Sequence, residues 1–208
     1  MRTGDLARDF TELYHESSVW TQTKWKGVQV CKYVSDLWAY QEIIWETRPT
    51  CIIETGSGCG GSAMFFADMM GELSTNRPPH VISVDLGSGY PMYDGVHFVN
   101  GDSVNPETIA AVKKYTHESF RIMVVLDSDH SAAHVLAEMR AYGPLVSPGC
   151  YMVVEDTIAA DIMPQLGCNP ADAVRDYLVE HPEFEQDRSR EKFLFTSNPG
   201  GYLKRKAA

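Results

Sequence analysis

Long apolar runs are missing from this chain of 208 residues, and none approaches the roughly 20 residues that a membrane span requires. Basic side chains are in deficit: 18 Lys and Arg face 28 Asp and Glu, giving a net charge of -10. A surface of that sign is a poor partner for nucleic acid or anionic membranes. Cysteine is sparse and unpatterned. Cys31, Cys51, Cys59, Cys150 and Cys168 are odd in number and show no C-x-x-C spacing, so neither a disulfide framework nor a zinc site is indicated. The opening residues, Met1-Arg2-Thr3-Gly4-Asp5, carry no signal-peptide apolar core. Internal repeats and low-complexity linkers are absent too. A cytoplasmic, reduced, globular protein is expected, with one domain over 1–208. Within it, 1–48 reads as a helical or lid segment and 49–208 as the core.

What the chain does have is one organising stretch, Ile52-Ile53-Glu54-Thr55-Gly56-Ser57-Gly58-Cys59-Gly60-Gly61-Ser62. Residues 51–53 read as a buried strand and 63–70 as a helix. Strand, Gly-rich turn and helix open a nucleotide-type site in a doubly wound α/β domain. Glycines let the backbone turn at positive φ and let a ligand come close. Gly56, Gly58 and Gly61 fit G-x-G-x-x-G, which would seat a dinucleotide pyrophosphate on the helix N-terminus. Glu54 argues against that ligand, because a carboxylate there repels pyrophosphate and pairs with an ammonium. The pattern E-x-G-x-x-x-G, formed by Glu54, Gly56 and Gly60, resembles motif I of class I S-adenosylmethionine (SAM) methyltransferases. SAM carries an amino group and a sulfonium but no phosphate. A turn that binds nothing is the bland alternative.

Around this stretch the chain alternates strands and helices. Residues 1–25 read as a helix and loop with Leu6, Phe10, Leu13 and Tyr14 apolar. The aromatic segment 20–28 is either a loop packed on the domain or a lid. A helix is expected over 35–46, with Asp36 near its start and Pro49 beyond its end. The next strand, 80–85, closes on Asp85, where a carboxylate holds a ribose diol in this architecture; a capping Asp would read alike. Strand 96–100 leads to Asp102-Ser103, which resembles the methyltransferase position beside the adenine ring, although an N-capping Asp would look the same. Helices follow at 106–115, 132–142 and 170–181. Strands 122–126 and 150–154 are continuous apolar runs, as expected of strands buried on both faces. Phe184 and residues 192–196 suggest late strands, and the basic tail 203–206 reads as solvated.

Two of the buried strands end in acids: Asp127 and Asp129 after one, Glu155 and Asp156 after the other. Both turns belong to the carboxyl edge of the sheet, where such folds bind ligands. With no Lys or Arg near either turn, these carboxylates would repel one another unless a divalent cation joined them; Mg²⁺ suits carboxylates, waters and substrate oxygens. His130 stands at the same turn as a candidate general base, with His134 in reserve. Helix N-caps and loop carboxylates are the alternative.

Three stretches together resemble the cephalosporin hydroxylase/rhamnosyl O-methyltransferase family. They are Ile53-Glu54-Thr55-Gly56 with Gly60-Gly61-Ser62, Val125-Leu126-Asp127-Ser128-Asp129-His130-Ser131 with His134-Val135-Leu136, and Val153-Val154-Glu155-Asp156-Thr157. Weaker matches are Trp25-Lys26-Gly27-Val28, Asp36-Leu37-Trp38 and Asn198-Pro199-Gly200-Gly201. The resemblance implies a Rossmann-like class I methyltransferase fold, a doubly wound, mostly parallel sheet with a helical N-terminal extension. It implies SAM as methyl donor, held by Glu54, Gly56, Gly60, Ser62, Asp85, Asp102, Ser103 and Asp127. It also implies Mg²⁺ on Asp127, Glu155 and Asp156, with Asp129 an alternative to Asp127 and His130 the base. The expected acceptor is a hydroxyl of a small molecule, a sugar or other secondary-metabolite intermediate, with Met92, Tyr93, Ile162 and Met163 available to line its pocket. Two other functions stay open: a SAM-binding subunit of a hydroxylation or methoxylation system, and a nucleotide-dependent oxidoreductase. The N-terminal aromatics would suit a lid or a homo-oligomer contact.

Overall fold

The computed structural model describes residues 3–73, 78–167 and 169–207; Cys168 lies outside them. The chain begins with α1 (Thr3–Glu16), a 3-10 turn and a small hairpin of β1 (Lys24–Trp25) and β2 (Val28–Gln29). Then come α2 (Val34–Thr47), β3 (Cys51–Thr55), α3 (Gly61–Leu73), β4 (Val81–Asp85), β5 (Val96–Asn100) and α4 (Pro106–Tyr115). The second half comprises β6 (Ile122–Leu126), α5 (Ala132–Tyr142), β7 (Tyr151–Val154), α6 (Ala159–Ile162), α7 (Pro170–Glu180), β8 (Phe184–Gln186) and β9 (Tyr202–Arg205). None of these helices is long and apolar enough to cross a membrane.

Seven strands form one sheet in the order β5-β4-β3-β6-β7-β9-β8. The first five run parallel, and β9 is antiparallel to both of its neighbours. This is the doubly wound, mostly parallel α/β sheet expected from the alternating pattern. Its central strands are apolar throughout because period-two alternation sends neighbouring residues into two different cores. Ile53, Val124, Leu126 and Met152 pack on one face with Val135 and Met139 of α5 and Tyr177 of α7. Ile52, Met123, Val125 and Val153 pack on the other with Tyr40 and Ile43 of α2 and Phe66 of α3.

The C-terminal segment differs from expectation. Residues 192–196 form no strand, and the ninth strand is the tail, where Tyr202 and Leu203 are fully buried. The charges of Lys204 and Arg205 disguise this pair. Their cationic ends stand 5.7 Å and 5.9 Å from the Tyr151 and Phe184 ring centroids, so long side chains cover apolar surface instead of leaving it.

Asp36 does not cap α2, whose N-cap is Tyr33 without a side-chain bond. The Asp36 carboxylate is buried and accepts hydrogen bonds from the Thr196 hydroxyl, the Ser197 N–H and hydroxyl (2.9 and 3.0 Å) and the Tyr202 hydroxyl (2.8 Å). It thereby ties α2 to the segment leading into β9. Arg48, in the left-handed region at φ 49°, ends the helix ahead of Pro49.

The N-terminal segment is both packing and wall. Trp25 meets Phe65 of α3 edge-on at 5.1 Å and donates its indole N–H to Asp68 at 2.6 Å. Tyr14 and Phe10 of α1 pack against Phe195, and Tyr14 meets Tyr33.

Candidate active site

Three backbone bonds bring the sequence motifs to one edge of the sheet. The Gly56 N–H donates to Val84 O (2.8 Å), Asp127 N–H to Thr55 O (3.0 Å) and Glu155 N–H to Leu126 O (2.9 Å). The Gly-rich loop and both acidic turns therefore leave the sheet side by side, at its carboxyl edge.

A cavity of about 510 Å³ opens there. Of the residues expected to hold a cofactor, Gly56, Ser62, Asp85, Asp102, Ser103 and Asp127 line it, joined by Val30, Ser128, Asp129 and His134. Its lining carries four carboxylates and no Lys or Arg. Such a wall favours a cationic ligand over a pyrophosphate and so speaks against the dinucleotide reading. Gly61 supports the same conclusion. A Cβ there would strike the Gln29 carbonyl, so the last glycine of G-x-G-x-x-G admits the β2 backbone onto α3 and not a phosphate.

Glu54 and Gly60 do not line the cavity. Gly60 precedes α3 at φ 86°, where a Cβ would crowd the Phe98 ring. Glu54 was expected to project into open space, but it is fully buried beneath the loop. Its Oε2 accepts from the Ser83 hydroxyl at 2.6 Å, and Ser62 bonds it from the cavity side. Burial pushes its carboxyl up, and Lys32 and the two serines restrain the shift. Its Oε1 has no partner, an orphaned acceptor that fits a bound ammonium.

The other cavity residues are held for a purpose visible in their bonds. Asp85 accepts from the Gly58 and Gly87 N–H groups at 3.0 and 2.7 Å, which fixes its carboxylate at the loop mouth. Asp102 is not the cap of α4; Asn105 is, accepting from the Glu107 N–H at 2.8 Å. The Asp102 carboxylate accepts locally from Val104 and stays at the cavity wall. His134 lies within 2.9 Å of the Ser103 hydroxyl and 3.7 Å of Glu138, which raises its pKa. It lines this cavity and is not among the three residues at ligand distance in the acid cluster.

A second cavity, about 240 Å³, is lined by His15, Trp20, Tyr33, Met163, His130 and Asp156, among others. Met163 is the one expected acceptor-pocket residue found in this lining. Met92 and Tyr93 line a separate cavity beside Asp68, and the Tyr93 hydroxyl bonds Asp68. Cys31 borders both the 510 Å³ and the 240 Å³ cavities.

The acid cluster lies where the two meet. Asp127, His130 and Asp156 offer ligand atoms all within 4.8 Å of one another, the group among the described residues able to hold a metal ion. His130 Nε2 stands 3.4 Å from Asp156 Oδ2. Burial raises the carboxyl pKa of both acids, and nearby Lys32 and His130 oppose the shift. Asp156 sits at φ 52°, with its N–H held by the Asn198 side chain at 2.9 Å. Asp129, the alternative ligand, is exposed and accepts from the Ser131 N–H at the start of α5.

Glu155 differs from expectation, and so does the charge balance. The cluster was expected to lack a nearby cation, yet Lys32, distant in sequence and 2% exposed, reaches into it. Its Nζ lies 2.8 Å from Asp127 Oδ2 and 2.6 Å from Glu155 Oε1. Tyr40 donates to the same Glu155 oxygen at 2.5 Å. Burial, followed by the charge of Asp127, raises the Glu155 carboxyl to about 7. Burial opposes the Lys32 charge, but Asp127, Glu155 and Glu54 more than offset it and hold the ammonium protonated. The one sequence signal for this ion pair was a lysine between Cys31 and Tyr33 in an otherwise apolar and aromatic segment.

Residues 17–206 match the family described as Rhamnosyl O-methyltransferase/CmcI. The chain belongs to this family. The rhamnosyl O-methyltransferase of Mycobacterium leprae (strain TN) is 37% identical over 213 residues, covering 98% of this chain and 92% of that protein. Among solved structures, an apo form of CmcI superposes with a TM-score of 0.67 at 24% identity, over 90% of this chain and 78% of that one. CmcI with Mg and SAM gives 0.65 at 23% identity, with the same coverage. The fold of this rhamnosyl O-methyltransferase/CmcI family member is thus the class I methyltransferase fold.

Proposed function

We propose that this chain is a SAM- and Mg²⁺-dependent O-methyltransferase acting on a sugar hydroxyl of a small molecule. The observation that carries the proposal is the meeting of two cavities at one acid cluster. Asp127 lines the larger, carboxylate-walled cavity, while its cluster partners His130 and Asp156 line the smaller, aromatic one. A donor in the first and an acceptor in the second would face each other across the cluster. The relatives named for rhamnosyl O-methylation and the CmcI structure with Mg and SAM support the same chemistry.

SAM supplies an electrophilic methyl group, and Mg²⁺ makes a neighbouring hydroxyl easier to deprotonate. The chain's own residues do the rest. Glu54 and Ser62 attract the amino-acid end of the donor, Asp85 accepts from the ribose hydroxyls, and Asp102 and Ser103 flank the adenine. Asp127 and Asp156 would hold the ion, which would supply the acidification of the acceptor hydroxyl. His130 takes the hydroxyl proton. Trp20, Tyr33 and Met163 wall the acceptor cavity against water, and alignment of the two reactants supplies much of the rate.

His130 admits a second role, because its ring lies within ligand distance of both acids. The test is to incubate the purified protein with SAM, MgCl₂ and rhamnose-bearing glycosides and follow methylated product by mass spectrometry. Methylation that EDTA abolishes and MgCl₂ restores is expected. Methylation indifferent to EDTA removes the metal from the mechanism, and a protein that binds no SAM overturns the proposal entirely.

A further inference from the structure

Glu138 is a buried carboxylate that takes no part in the chemistry proposed so far. It sits on α5, fully enclosed, one turn after His134 and one turn before Tyr142. A spacing of four puts all three on one face of the helix. That face meets the segments that follow β5 and β6. Tyr142 donates its hydroxyl to the Ser103 carbonyl at 2.7 Å, and His134 Nε2 lies 2.9 Å from the Ser103 hydroxyl. Glu138 Oε1 accepts the Ser128 hydroxyl at 2.6 Å. Ser103, Ser128 and His134 line the 510 Å³ cavity, and Glu138 backs them without reaching it. The Glu138 Oε2 has no partner, and among the described residues the one cationic group near this carboxylate is His134, 3.7 Å from Oε1. A buried carboxylate with one oxygen unmatched weakens a fold, and residues that break a local rule in this way cluster at functional sites.

The contacts fix where the hydrogens lie. A carboxylate only accepts, so the Ser128 hydrogen is spent on Glu138, and the Ser128 oxygen faces His134 Nε2 as an acceptor at 3.4 Å. A bare Nε2 would meet the lone pairs of Ser128 and Glu138 at once. Nε2 therefore carries a hydrogen, and Ser103 Oγ, the nearest of the three oxygens, receives it. Glu138 raises the His134 pKa against the effect of burial, which agrees with a proton kept on this ring. Ser103 is then left with its own hydrogen to give. Ser128 Oγ, its one side-chain acceptor among the described residues, is 3.4 Å away, well beyond the usual hydroxyl bond of about 2.7 Å. The hydrogen is free for a ligand in the cavity.

Resting on the SAM reading above, we propose that Glu138 is a positioning residue that acts through His134 to aim the Ser103 hydroxyl hydrogen at a ring nitrogen of the cofactor's purine. A ring nitrogen accepts such a hydrogen, whereas the opposite hydroxyl direction would set oxygen lone pairs against it. The wall thus meets the purine already oriented, and less ordering is left for the moment of binding.

The test is calorimetric titration of S-adenosylhomocysteine into wild type, Glu138→Gln, Ser103→Ala and the double variant, a measurement independent of turnover. Glutamine keeps an acceptor for Ser128 and loses the charge that orients His134. Each single variant should bind about three- to ten-fold more weakly, the net value of one hydrogen bond. The double variant should bind as Ser103→Ala does, because Glu138 acts through that hydroxyl. His134→Gln carries amide hydrogens with no carboxylate behind it. Added to Glu138→Gln, it should restore affinity to within about two-fold of wild type, a recovery that a merely structural loss would not show. Additive losses, wild-type affinity in Glu138→Gln or no recovery with His134→Gln overturns the role of Glu138. If Glu138→Gln does not fold, His134→Leu breaks the same link from the cavity side, and its cycle with Ser103→Ala decides by the same rule. A wild-type protein that binds no S-adenosylhomocysteine overturns the SAM reading itself.

Discussion

Gly56 and Asp127 are locked backbone to backbone: a Cβ on Gly56 would land on the Asp127 carbonyl oxygen. The cofactor loop after β3 and the acidic turn after β6 are therefore set by one contact. Gly56 also holds φ 84°, which an L side chain adopts at a cost. Gly56→Ala should destabilise the protein by about 3 kcal/mol or more, read from urea unfolding, and should weaken SAM and Mg²⁺ binding together. Wild-type stability in the alanine variant would show that the two turns move independently.

Glu54 tests the identity of the donor. Replacing it by Gln keeps the shape and an acceptor for the Ser83 hydroxyl, while removing the charge beneath the loop. SAM affinity should drop about ten- to hundred-fold by calorimetry, with little loss of stability, because a buried carboxylate is exchanged for a neutral amide. Unchanged SAM affinity would detach Glu54 from the donor's amino group.

His130 is decided by comparing two numbers in one variant. If it is the base, His130→Ala lowers kcat by about 10²–10⁴-fold and leaves Mg²⁺ and SAM dissociation constants as they were. If it ligates the ion, Mg²⁺ binding weakens as well. Its 3.4 Å approach to Asp156 suits an oriented base, and the first outcome is expected. A variant with wild-type kcat removes His130 from catalysis.

What the chain revealed in advance was what depends on local order. The strands 51–55, 81–85, 96–100 and 122–126 are short apolar or alternating runs, and each boundary falls within two residues of its sequence estimate. The acids Asp127, Glu155 and Asp156 converge because they end neighbouring parallel strands, and that too follows from topology. Lys32 was hidden for the opposite reason. Its partners lie 95 and 123 residues away, and no spacing rule links a strap to a sheet edge. Tyr202 and Leu203 were hidden by the charges after them, since composition cannot tell a solvated lysine from one lying over Tyr151. Asp36 looked like a helix cap because caps are what Asp near a helix start most often provides.

Asp36 gives a prediction about pH. Burial, against the hydrogen bonds from Thr196, Ser197 and Tyr202, lifts its carboxyl from 3.8 to about 6. The acidic groups it faces are Glu155 and Asp156, whose own carboxyls burial also raises, and Tyr33 and Tyr202 complete its surroundings. The folded state thus holds the proton more firmly than the unfolded chain does. The stability contributed is fully present below pH 3.8 and is lost as pH rises through about 6, a change of about 3 kcal/mol at most. Asp36→Asn removes that titration while nearly keeping the shape. Urea unfolding at intervals from pH 4 to 6 should show wild-type stability declining relative to the variant's, and above pH 6 the difference should level off. Parallel stability curves across that interval would mean that the Asp36 carboxyl binds its proton equally well in the folded and unfolded chains.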